Sequence, residues 1–332
     1  MDVQQPYLVF LGDARDALAA KTGQGIVDWR PKAVVGQLRL PGCVANLGVA
    51  DVTIEQAAEA GARTFLIGVV NPGGVLPDHW QGAIVEALGA GLDIASGLHT
   101  PLASVPAIAR AAKQSGGQLL EVRRPVGPFR TATGRKRTGK RLLTVGTDCS
   151  VGKKYAALAI ERELIRRGVA ADYRASGQTG ILIAGSGIPI DAVVSDFAAG
   201  AAEMLSPDND PDHWDVVEGQ GSLFHPSFAG VSLALLHGTQ PDAIVVCHEP
   251  TRTTMRNVDA PIASISDVID QTLALGRLTN PAVRCVGIAL NTATLGSEAA
   301  KRAIEQTRRD FDLPVCDPMR YGVEALVDEM LV

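Results

Sequence analysis

The second half of the chain repeats one pattern of apolar and polar positions. A short apolar run leads into a loop of glycine and polar residues, and then into a stretch where apolar residues recur at helical spacing. Strands that alternate with helices in this way predict a parallel sheet with helices on its faces. The predicted strands are Leu142–Val145, Val169–Arg174, Trp214–Glu218, Ala243–Cys247, Val283–Leu290 and Leu313–Cys316.

The first 130 residues show the same alternation, which predicts a Rossmann-like α/β fold. No G-x-G-x-x-G follows the first predicted strand, so a dinucleotide site is weakly supported. Asn71, Ser96 and His99 lie in loops after predicted strands, and for His99 we favour a structural hydrogen bond over a substrate contact. The predicted strands are at residues 7–11, 64–70 and 92–95, and the predicted helices at 14–21, 54–60, 82–88 and 105–113.

A stretch rich in proline, glycine and arginine separates the two halves at residues 123–141. Such a composition marks a domain boundary. We therefore predict a Rossmann-like domain at residues 1–130 and a P-loop-type, doubly wound α/β domain at residues 131–332. The basic charge of the linker is interpreted as a solvated face, with a lid or entry path for an anionic ligand as the alternative.

The string GTDCSVGKK, at residues 146–154, joins an apolar strand to a helical pattern. It predicts phosphate binding, because backbone N–H groups turn inward in such a loop, the lysine reaches the outer oxygens, and the helix adds its positive end. Five residues separate Gly146 from Gly152, one more than in the general G-x4-G-K-[ST] pattern. Lys154 replaces the hydroxyl residue that coordinates Mg²⁺, and lysine cannot ligate a metal. The loop therefore suits a phosphate ligand that is held rather than hydrolysed, such as coenzyme A.

Composition and charge are those of a soluble globular protein. The 332 residues are 46% hydrophobic and carry a formal net charge of -5, which argues against a general nucleic-acid binder. The five cysteines are scattered, as expected for reduced thiols rather than disulfides or zinc ligands. No apolar run reaches the ~18 residues of a membrane span. We expect a cytoplasmic homo-oligomer that acts on a small molecule and has no nucleic-acid or membrane partner.

Polar residues follow the predicted strands of the second domain. Open parallel sheets bind ligands outside the carboxyl ends of their strands, so we predict that the second domain carries the chemistry. These polar clusters lie at residues 175–180, 219–222, 248–252, 291 and 317–320.

Four strings together resemble a bacterial family long described as having a domain of unknown function: GTDCSVGKK, GQTGILI at 177–183, VVEGQGSL at 216–223 and CHEPTR at 247–252. That family couples a Rossmann-like N-terminal domain to a P-loop domain, and members of it are assigned as D-glutamate N-acetyltransferase. The resemblance implies that acetyl-CoA, as co-substrate, donates acetyl to the amino group of an acidic amino acid, D-glutamate. The second domain is also similar to dethiobiotin synthetase, which has a hydroxyl residue in place of Lys154. This departure argues against ATP and Mg²⁺.

Acetyl transfer needs a general base, because the amine of an amino acid is mostly protonated near neutral pH. The candidates are His248 and Glu218, for which a structural or bracing role is equally open. The backbone of Gly219–Gly221 is a candidate source of N–H donors for the oxyanion. Arginine forks suit the two carboxylates of the acceptor. For Arg256 we favour a position on a solvated helix over substrate binding.

Besides the two candidate bases, the predicted site residues are a coenzyme group and a substrate group, and no residue is predicted to bind a metal. Cys149 and Cys247 are interpreted as small buried hydrophobic residues rather than acyl carriers. The predicted coenzyme residues are Gly146, Thr147, Asp148, Ser150, Gly152, Lys153, Lys154 and Asn291, and the predicted substrate residues are Arg174, Gln178, Thr179, Arg252 and Arg256.

Two other functions stay open. An ATP- and Mg²⁺-dependent kinase or ligase of the dethiobiotin synthetase type is favoured by the long loop and by Glu218, and disfavoured by Lys154. A non-catalytic nucleotide or CoA sensor is favoured by the missing metal ligand. The many polar residues at one sheet edge argue against a sensor.

Overall fold

The structure, a computed structural model, describes residues 2–17, 19–69 and 75–332. Contacts divide the chain into two compact units, Met1–Val126 with Gln178–Pro189 and Gly127–Gly177 with Ile190–Val332. The first change of unit lies close to the predicted boundary at residue 130, whereas the return of Gln178–Pro189 to the first unit is not predicted by the sequence. Asn71, which is predicted to lie in a loop after a strand, falls outside the described residues.

The first unit is built on β1 (Tyr7–Gly12), β2 (Val34–Arg39), β3 (Thr64–Ile67), β4 (Asp93–Ser96) and β5 (Leu119–Glu121). These strands are parallel and hydrogen-bond in the order β2-β1-β3-β4-β5. Every residue of β1 and β3 is buried, as in a parallel sheet covered on both faces. The Rossmann-like prediction is confirmed. The pattern of apolar residues does not predict β2 or β5, because β2 contains Gly36 and Gln37 and β5 is very short.

The second unit is built on β6 (Lys140–Gly146), β7 (Ala171–Arg174), β8 (Trp214–Val217), β9 (Ala243–His248), β10 (Arg284–Leu290) and β11 (Val315–Cys316). The strands are parallel, in the order β11-β10-β9-β6-β8-β7. In β6, Leu142 is opposite Ala243 on one side and Val216 on the other. Because the order changes direction at β6, the carboxyl end of this strand is a topological switch point, where such sheets bind ligands.

Eleven α-helices of six to fifteen residues lie between or after these strands in the described ranges. In chain order they are α1 (Lys21–Trp29), α2 (Ile54–Glu59), α3 (Gln81–Gly89), α4 (Pro106–Ser115), α5 (Lys153–Arg166), α6 (Gln178–Ala184), α7 (Ser195–Leu205), α8 (Ala229–Thr239), α9 (Ile265–Gly276), α10 (Ser297–Phe311) and α11 (Glu324–Leu331). The first unit contains α1 to α4 and also α6, which follows β7 of the second unit in the chain. None of the helices in the described ranges combines the length and the apolar character that crossing a bilayer requires.

Helix α1 begins at Lys21 and continues to Trp29, so the predicted helix over residues 14–21 is wrong. The Gly23 N–H donates to the Gly68 carbonyl oxygen at 2.8 Å, and a Cβ on Gly23 would lie 3.0 Å from Val9 Cγ1. The helix therefore needs glycine where it passes the sheet. Glycine also lowers helix propensity, which hides this helix from a pattern-based prediction.

The segment before β6 is held by two buried arginines. Arg137 Nε donates to the Ser206 carbonyl oxygen and Arg137 Nη2 to that of Gly238, both at 2.7 Å. Arg141 Nη2 donates to the Pro207 carbonyl oxygen at 3.0 Å. Burial lowers the pKa of Arg137 to about 10. The interpretation of the linker charge as a solvated face is therefore wrong for these two residues, which bind backbone inside the second unit.

Replacing Arg137 by methionine should lower the free energy of unfolding of the second unit by ~3–5 kcal/mol, because it breaks a buried charged network. Glu203 lies 3.8 Å from Arg137 Nη1 and would lose its cation. The matched control is Arg135→Met, because Arg135 pairs with Asp208 at the surface. This replacement should lower the free energy of unfolding by at most ~1 kcal/mol. Urea unfolding followed by hydrogen exchange measures both variants, and equal losses would contradict this account.

Candidate functional site

The phosphate loop joins β6 to α5 at the switch point of the second sheet. Gly152 precedes α5 with a φ of +106°, a left-handed value that side chains rarely adopt. A Cβ on Gly146 would lie only 3.0 Å from the Cys247 carbonyl oxygen of β9. The two glycines that bound the loop are thus required by its geometry, one by its φ and the other by close packing.

Lys153, the first residue of α5, has its ammonium group buried inside the loop. Its Nζ donates to the Asp148 carbonyl oxygen at 2.7 Å, and the residue is only 6% exposed. Burial lowers the pKa of Lys153, which reflects the cost of keeping its charge away from water. A phosphate in the loop would supply a counter-charge, so the site suits an anion.

Lys154 and Glu218 are two further ionisable groups beside the loop. Lys154 Nζ lies 4.5 Å from the centre of the Tyr155 ring, and burial lowers the pKa of Lys154 while the charge of Glu218 raises it. Glu218 is 5% exposed, and its Oε2 accepts hydrogen bonds from the N–H groups of Ser176 at 3.2 Å and Gly177 at 3.1 Å. Burial raises the pKa of Glu218, with Lys154 opposing it most strongly. Such a shift is typical of functional carboxyl groups.

Asp148 is fully buried, and two arginines bind its carboxylate. Its Oδ2 accepts hydrogen bonds from Arg252 Nη1 and from the Arg256 backbone N–H, both at 2.8 Å. Arg252 Nη1 also donates to the Cys149 carbonyl oxygen, and Arg256 Nη1 to Ser150 Oγ, both at 2.6 Å. Burial alone would raise the pKa of Asp148, but these hydrogen bonds lower it. Both arginines brace the loop, and Arg256 lies in a turn rather than on the predicted helix.

His248 is the last residue of β9 and contacts the phosphate loop. Its Nδ1 lies 3.0 Å from Thr147 Oγ1, while the Thr147 N–H donates to the Cys247 carbonyl oxygen at 3.1 Å. Burial lowers the pKa of His248, with the charge of Glu249 opposing it, so the imidazole is neutral near neutral pH. If Nδ1 donates its proton to Thr147, Nε2 is free to accept one from an amine.

The carboxyl ends of neighbouring strands bring several predicted residues together. Asn291, directly after β10, donates its N–H to the His248 carbonyl oxygen at 2.8 Å. A Cβ on Gly152 would lie 3.6 Å from Asn291 Cβ, so Asn291 adjoins the loop. Thr147 and Asp148 are fully buried residues that expose essentially no surface to a coenzyme, and they support the loop from within through the hydrogen bonds described above.

Three predicted substrate residues are placed differently. Arg174 Nε donates to Asp215 Oδ1 at 2.7 Å, and Arg174 Nη2 lies 3.0 Å from Asp172 Oδ2. Both aspartates are second residues of their strands, so the Arg174 guanidinium is directed back from the carboxyl edge, which corrects its predicted position. Gln178 and Thr179 begin α6, in the first unit, and not a loop of the second.

The glycine-rich segment after β8 is held more tightly than predicted. The Gly219 N–H donates to Thr144 Oγ1 at 3.0 Å, and a Cβ on Gly219 would lie 1.7 Å from the Thr144 carbonyl oxygen. This N–H is therefore engaged and not available to an oxyanion. Gln220 Nε2 donates to Ser176 Oγ at 3.0 Å. The segment thus fixes the position of the preceding Glu218.

His225 is a buried neighbour of the loop that no sequence motif predicts. Its Nδ1 accepts the Ser227 N–H at 3.2 Å, and its Nε2 lies 3.0 Å from the Arg256 carbonyl oxygen. One atom each of His225, Asp148 and Cys149 lie within 4.8 Å of one another. Both ring nitrogens are engaged and an arginine already binds Asp148, so hydrogen bonding explains this cluster better than a metal does. The only signal in the sequence is its place shortly after the glycine-rich segment.

Comparisons with known proteins agree with the two folds. The C-terminal P-loop domain of DUF1611, described as a domain of unknown function, matches residues 129–327, and the N-terminal Rossmann-like domain of that family matches residues 39–125. The crystal structure of a DUF1611 family protein from Anabaena variabilis is similar with a TM-score of 0.83. It is 32% identical, and the match covers 99% of both chains.

Two relatives with assigned names are similar over their full length. A D-glutamate N-acetyltransferase of Tritonibacter scottomollicae is 51% identical over 329 residues, 99% of each chain. Another, of a Pseudoalteromonas species, is 47% identical over 328 residues, 98% of this chain and 99% of its own. The resemblance predicted from four strings of residues is confirmed. The chain belongs to the DUF1611 family, in which a Rossmann-like N-terminal domain precedes a P-loop domain.

Proposed function

We propose that this protein is an N-acetyltransferase that moves an acetyl group from acetyl-CoA to the amino group of D-glutamate. The observation that carries the proposal is the sequence identity of 51% and 47%, over nearly the full length, to two relatives named D-glutamate N-acetyltransferase. The geometry supports it, because a cationic phosphate loop adjoins two groups that can accept a proton. That the enzyme works as a cytoplasmic homo-oligomer stays a prediction.

The phosphate loop is the proposed site for the phosphates of acetyl-CoA. Lys153 is buried and Lys154 half-buried, so two positive charges lie where water screens them little. Lys154 cannot coordinate the Mg²⁺ that phosphoryl transfer uses. This combination favours a coenzyme whose phosphates are bound and not transferred. Ser150, Gly152 and Asn291 complete the proposed contacts.

The proposed reaction starts when a base takes a proton from the ammonium group of the acceptor. The neutral nitrogen attacks the thioester carbonyl and a C–N bond forms. The C–S bond breaks as CoA leaves as a thiolate, and the second proton that the nitrogen gives up on becoming an amide passes to this thiolate. His248 is the proposed base, since it is more exposed than Glu218 and no hydrogen bond to its Nε2 is present among the described residues. Glu218, with its raised pKa, is the alternative.

The carboxylates of the acceptor need cationic partners. Arg256 is exposed, and one of its nitrogens binds Ser150. Arg252 is already bound to two carboxylates, those of Asp148 and Glu249. Since a guanidinium carries five N–H donors, Arg256 retains more capacity for a substrate carboxylate than Arg252 does. Arg256 is therefore the first proposed partner of D-glutamate.

Lys153→Ala should weaken acetyl-CoA binding by ~1.5–3 kcal/mol, the range for hydrogen bonds to charged groups, while leaving the fold intact. The matched control is Lys301→Ala, which removes an exposed lysine on α10 and should leave the affinity unchanged. Titration calorimetry measures both, and circular dichroism checks the fold. Unchanged affinity in Lys153→Ala would contradict the proposal that this loop binds the phosphates of acetyl-CoA.

Purified protein given D-glutamate and acetyl-CoA should release free thiol at the same rate with and without EDTA, because Lys154 cannot hold a metal. In a parallel reaction with Mg·ATP instead of acetyl-CoA, we expect no ADP. Lys154→Thr, which restores the hydroxyl, should keep the fold. Activity that depends strictly on a divalent ion, or production of ADP, would contradict this proposal and favour the ATP-dependent kinase or ligase.

His248→Ala should lower the rate at saturating substrates by ~10²- to 10⁴-fold, the usual contribution of a general base, and barely alter CoA affinity. Because a base works only when deprotonated, activity should rise with pH through the pKa of that base. The acid limb of the profile is the pH range over which activity rises in this way. If His248 is the base, the midpoint of the acid limb lies below the ordinary histidine pKa of 6.5, because burial lowers the pKa of His248. In His248→Ala the acid limb should flatten. The pH–rate profile measures this.

Glu218→Gln is the paired variant for the same profile. An acid limb set by Glu218 would lie above the ordinary value of 4.5, because burial raises that pKa. If Glu218→Gln removes the acid limb and His248→Ala retains it, the base is Glu218 and our order of the two is wrong.

A further inference from the structure

A cavity of about 220 Å³ lies directly beside the phosphate loop. It extends from the loop and the start of α5 to the end of β10 and the turn after β11. This volume is below the ~300–1,000 Å³ of sites that hold a whole drug-sized ligand, so it suits a single ring system. The lining residues used below are Gly152, Tyr155, Asn291, Ala293, Pro318 and Met319.

The walls of the cavity are mainly apolar. Tyr155 offers an aromatic ring, Pro318 a rigid one, and Met319 a flexible thioether that adapts to a flat partner. Asp317 also lines the cavity, but its carboxylate is occupied. Its Oδ2 accepts the Thr292 N–H at 3.1 Å, and its Oδ1 the Met319 N–H at 2.9 Å. The cavity therefore favours an uncharged planar group.

Asn291 supplies a polar edge to this apolar space. Its Oδ1 accepts the Ala293 N–H at 3.2 Å, a bond that identifies this atom as the oxygen. The amide NH₂ has no hydrogen-bond partner among the described residues, and Oδ1 keeps a second lone pair. An amide with one donor and one acceptor pairs bidentately with adenine N6 and N7, whereas guanine presents two acceptors at that edge. Asn291 thus matches adenine.

We propose that this cavity binds the adenine ring of the donor coenzyme, with phosphates of the same molecule in the adjoining loop. The inference rests on the proposed donor, acetyl-CoA, and adds the residues that select its base. Asn291 reads the edge of the ring, Tyr155 and Met319 contact its faces, and Ala293 borders the opening. Continuity with the loop follows from the position of Gly152, which belongs to both.

ADP and GDP are the probes for the base, because they share the sugar and phosphates. Titration calorimetry should give the wild-type protein about 10-fold or more tighter binding of ADP than of GDP, within the range for one bidentate amide–adenine pair. Asn291→Leu should abolish this preference and bind both nucleotides equally. Equal affinity of the wild-type protein for ADP and GDP would overturn the inference.

Ala293→Trp tests the cavity by filling it from an exposed position. It should weaken ADP binding and raise the KM for acetyl-CoA about 10-fold, since a stacked base contributes a factor of this order. The kcat/KM for S-acetylpantetheine, a thioester without a nucleotide, should not change. Ser297→Trp, at the exposed start of α10 and outside the cavity, should alter none of these values. Unchanged ADP binding in Ala293→Trp would overturn the inference.

The two proposals fail separately. If acetyl-CoA does not serve as donor while ADP selectivity and its loss in Ala293→Trp are observed, acetyl transfer is refuted and the adenine site stands. If acetyl-CoA is the donor and neither Ala293→Trp nor Asn291→Leu changes nucleotide binding, the adenine site is refuted and acetyl transfer stands.

Discussion

The burial of one ammonium group, that of Lys153, is the constraint on which the arrangement around the phosphate loop depends. Removing this charge from water costs hydration energy, and its pKa falls accordingly. The protein compensates in part with the Asp148 carbonyl oxygen, while Arg252 binds the carboxylate of the same residue. A phosphate in the loop would supply the remaining compensation, which is the physical reason for the proposed binding of a coenzyme there.

The residue type that follows Lys153 determines what the loop does with a phosphate. A hydroxyl there can hold a metal ion, whereas the ammonium of Lys154 adds a second positive charge and offers no lone pair to a metal. The arginines around the loop also add fixed positive charge. Arg252 and Arg256 donate to Asp148, Cys149 and Ser150, so the loop is held by fixed cations rather than by an exchangeable one. This arrangement fits a coenzyme whose phosphates are bound and not transferred.

The features that the sequence predicts correctly are those whose signals are local. An apolar run, two glycines and helical spacing within residues 142–160 predict a strand at Leu142–Val145 and a helical pattern after Gly152. The structure agrees closely, since β6 ends at Gly146 and α5 begins at Lys153. His248 and Asn291 are predicted at strand ends, and in a parallel sheet all the carboxyl ends lie at one edge. Strand prediction therefore places both residues at that edge, and the pairing of β9 with β10 makes them neighbours.

Side-chain partners depend on the order of strands and on packing, which no short stretch of sequence contains. Arg174 pairs with Asp215, 41 positions away, because β7 lies beside β8. His225 reaches the loop through a turn without a motif, and Gln178 begins a helix that packs in the first unit. Sequence thus determines the strands of the second sheet and the phosphate loop through local periodicity and glycine chemistry. The tertiary structure decides which charged groups are buried, paired or left for a ligand, because those choices depend on residues brought together from distant parts of the chain.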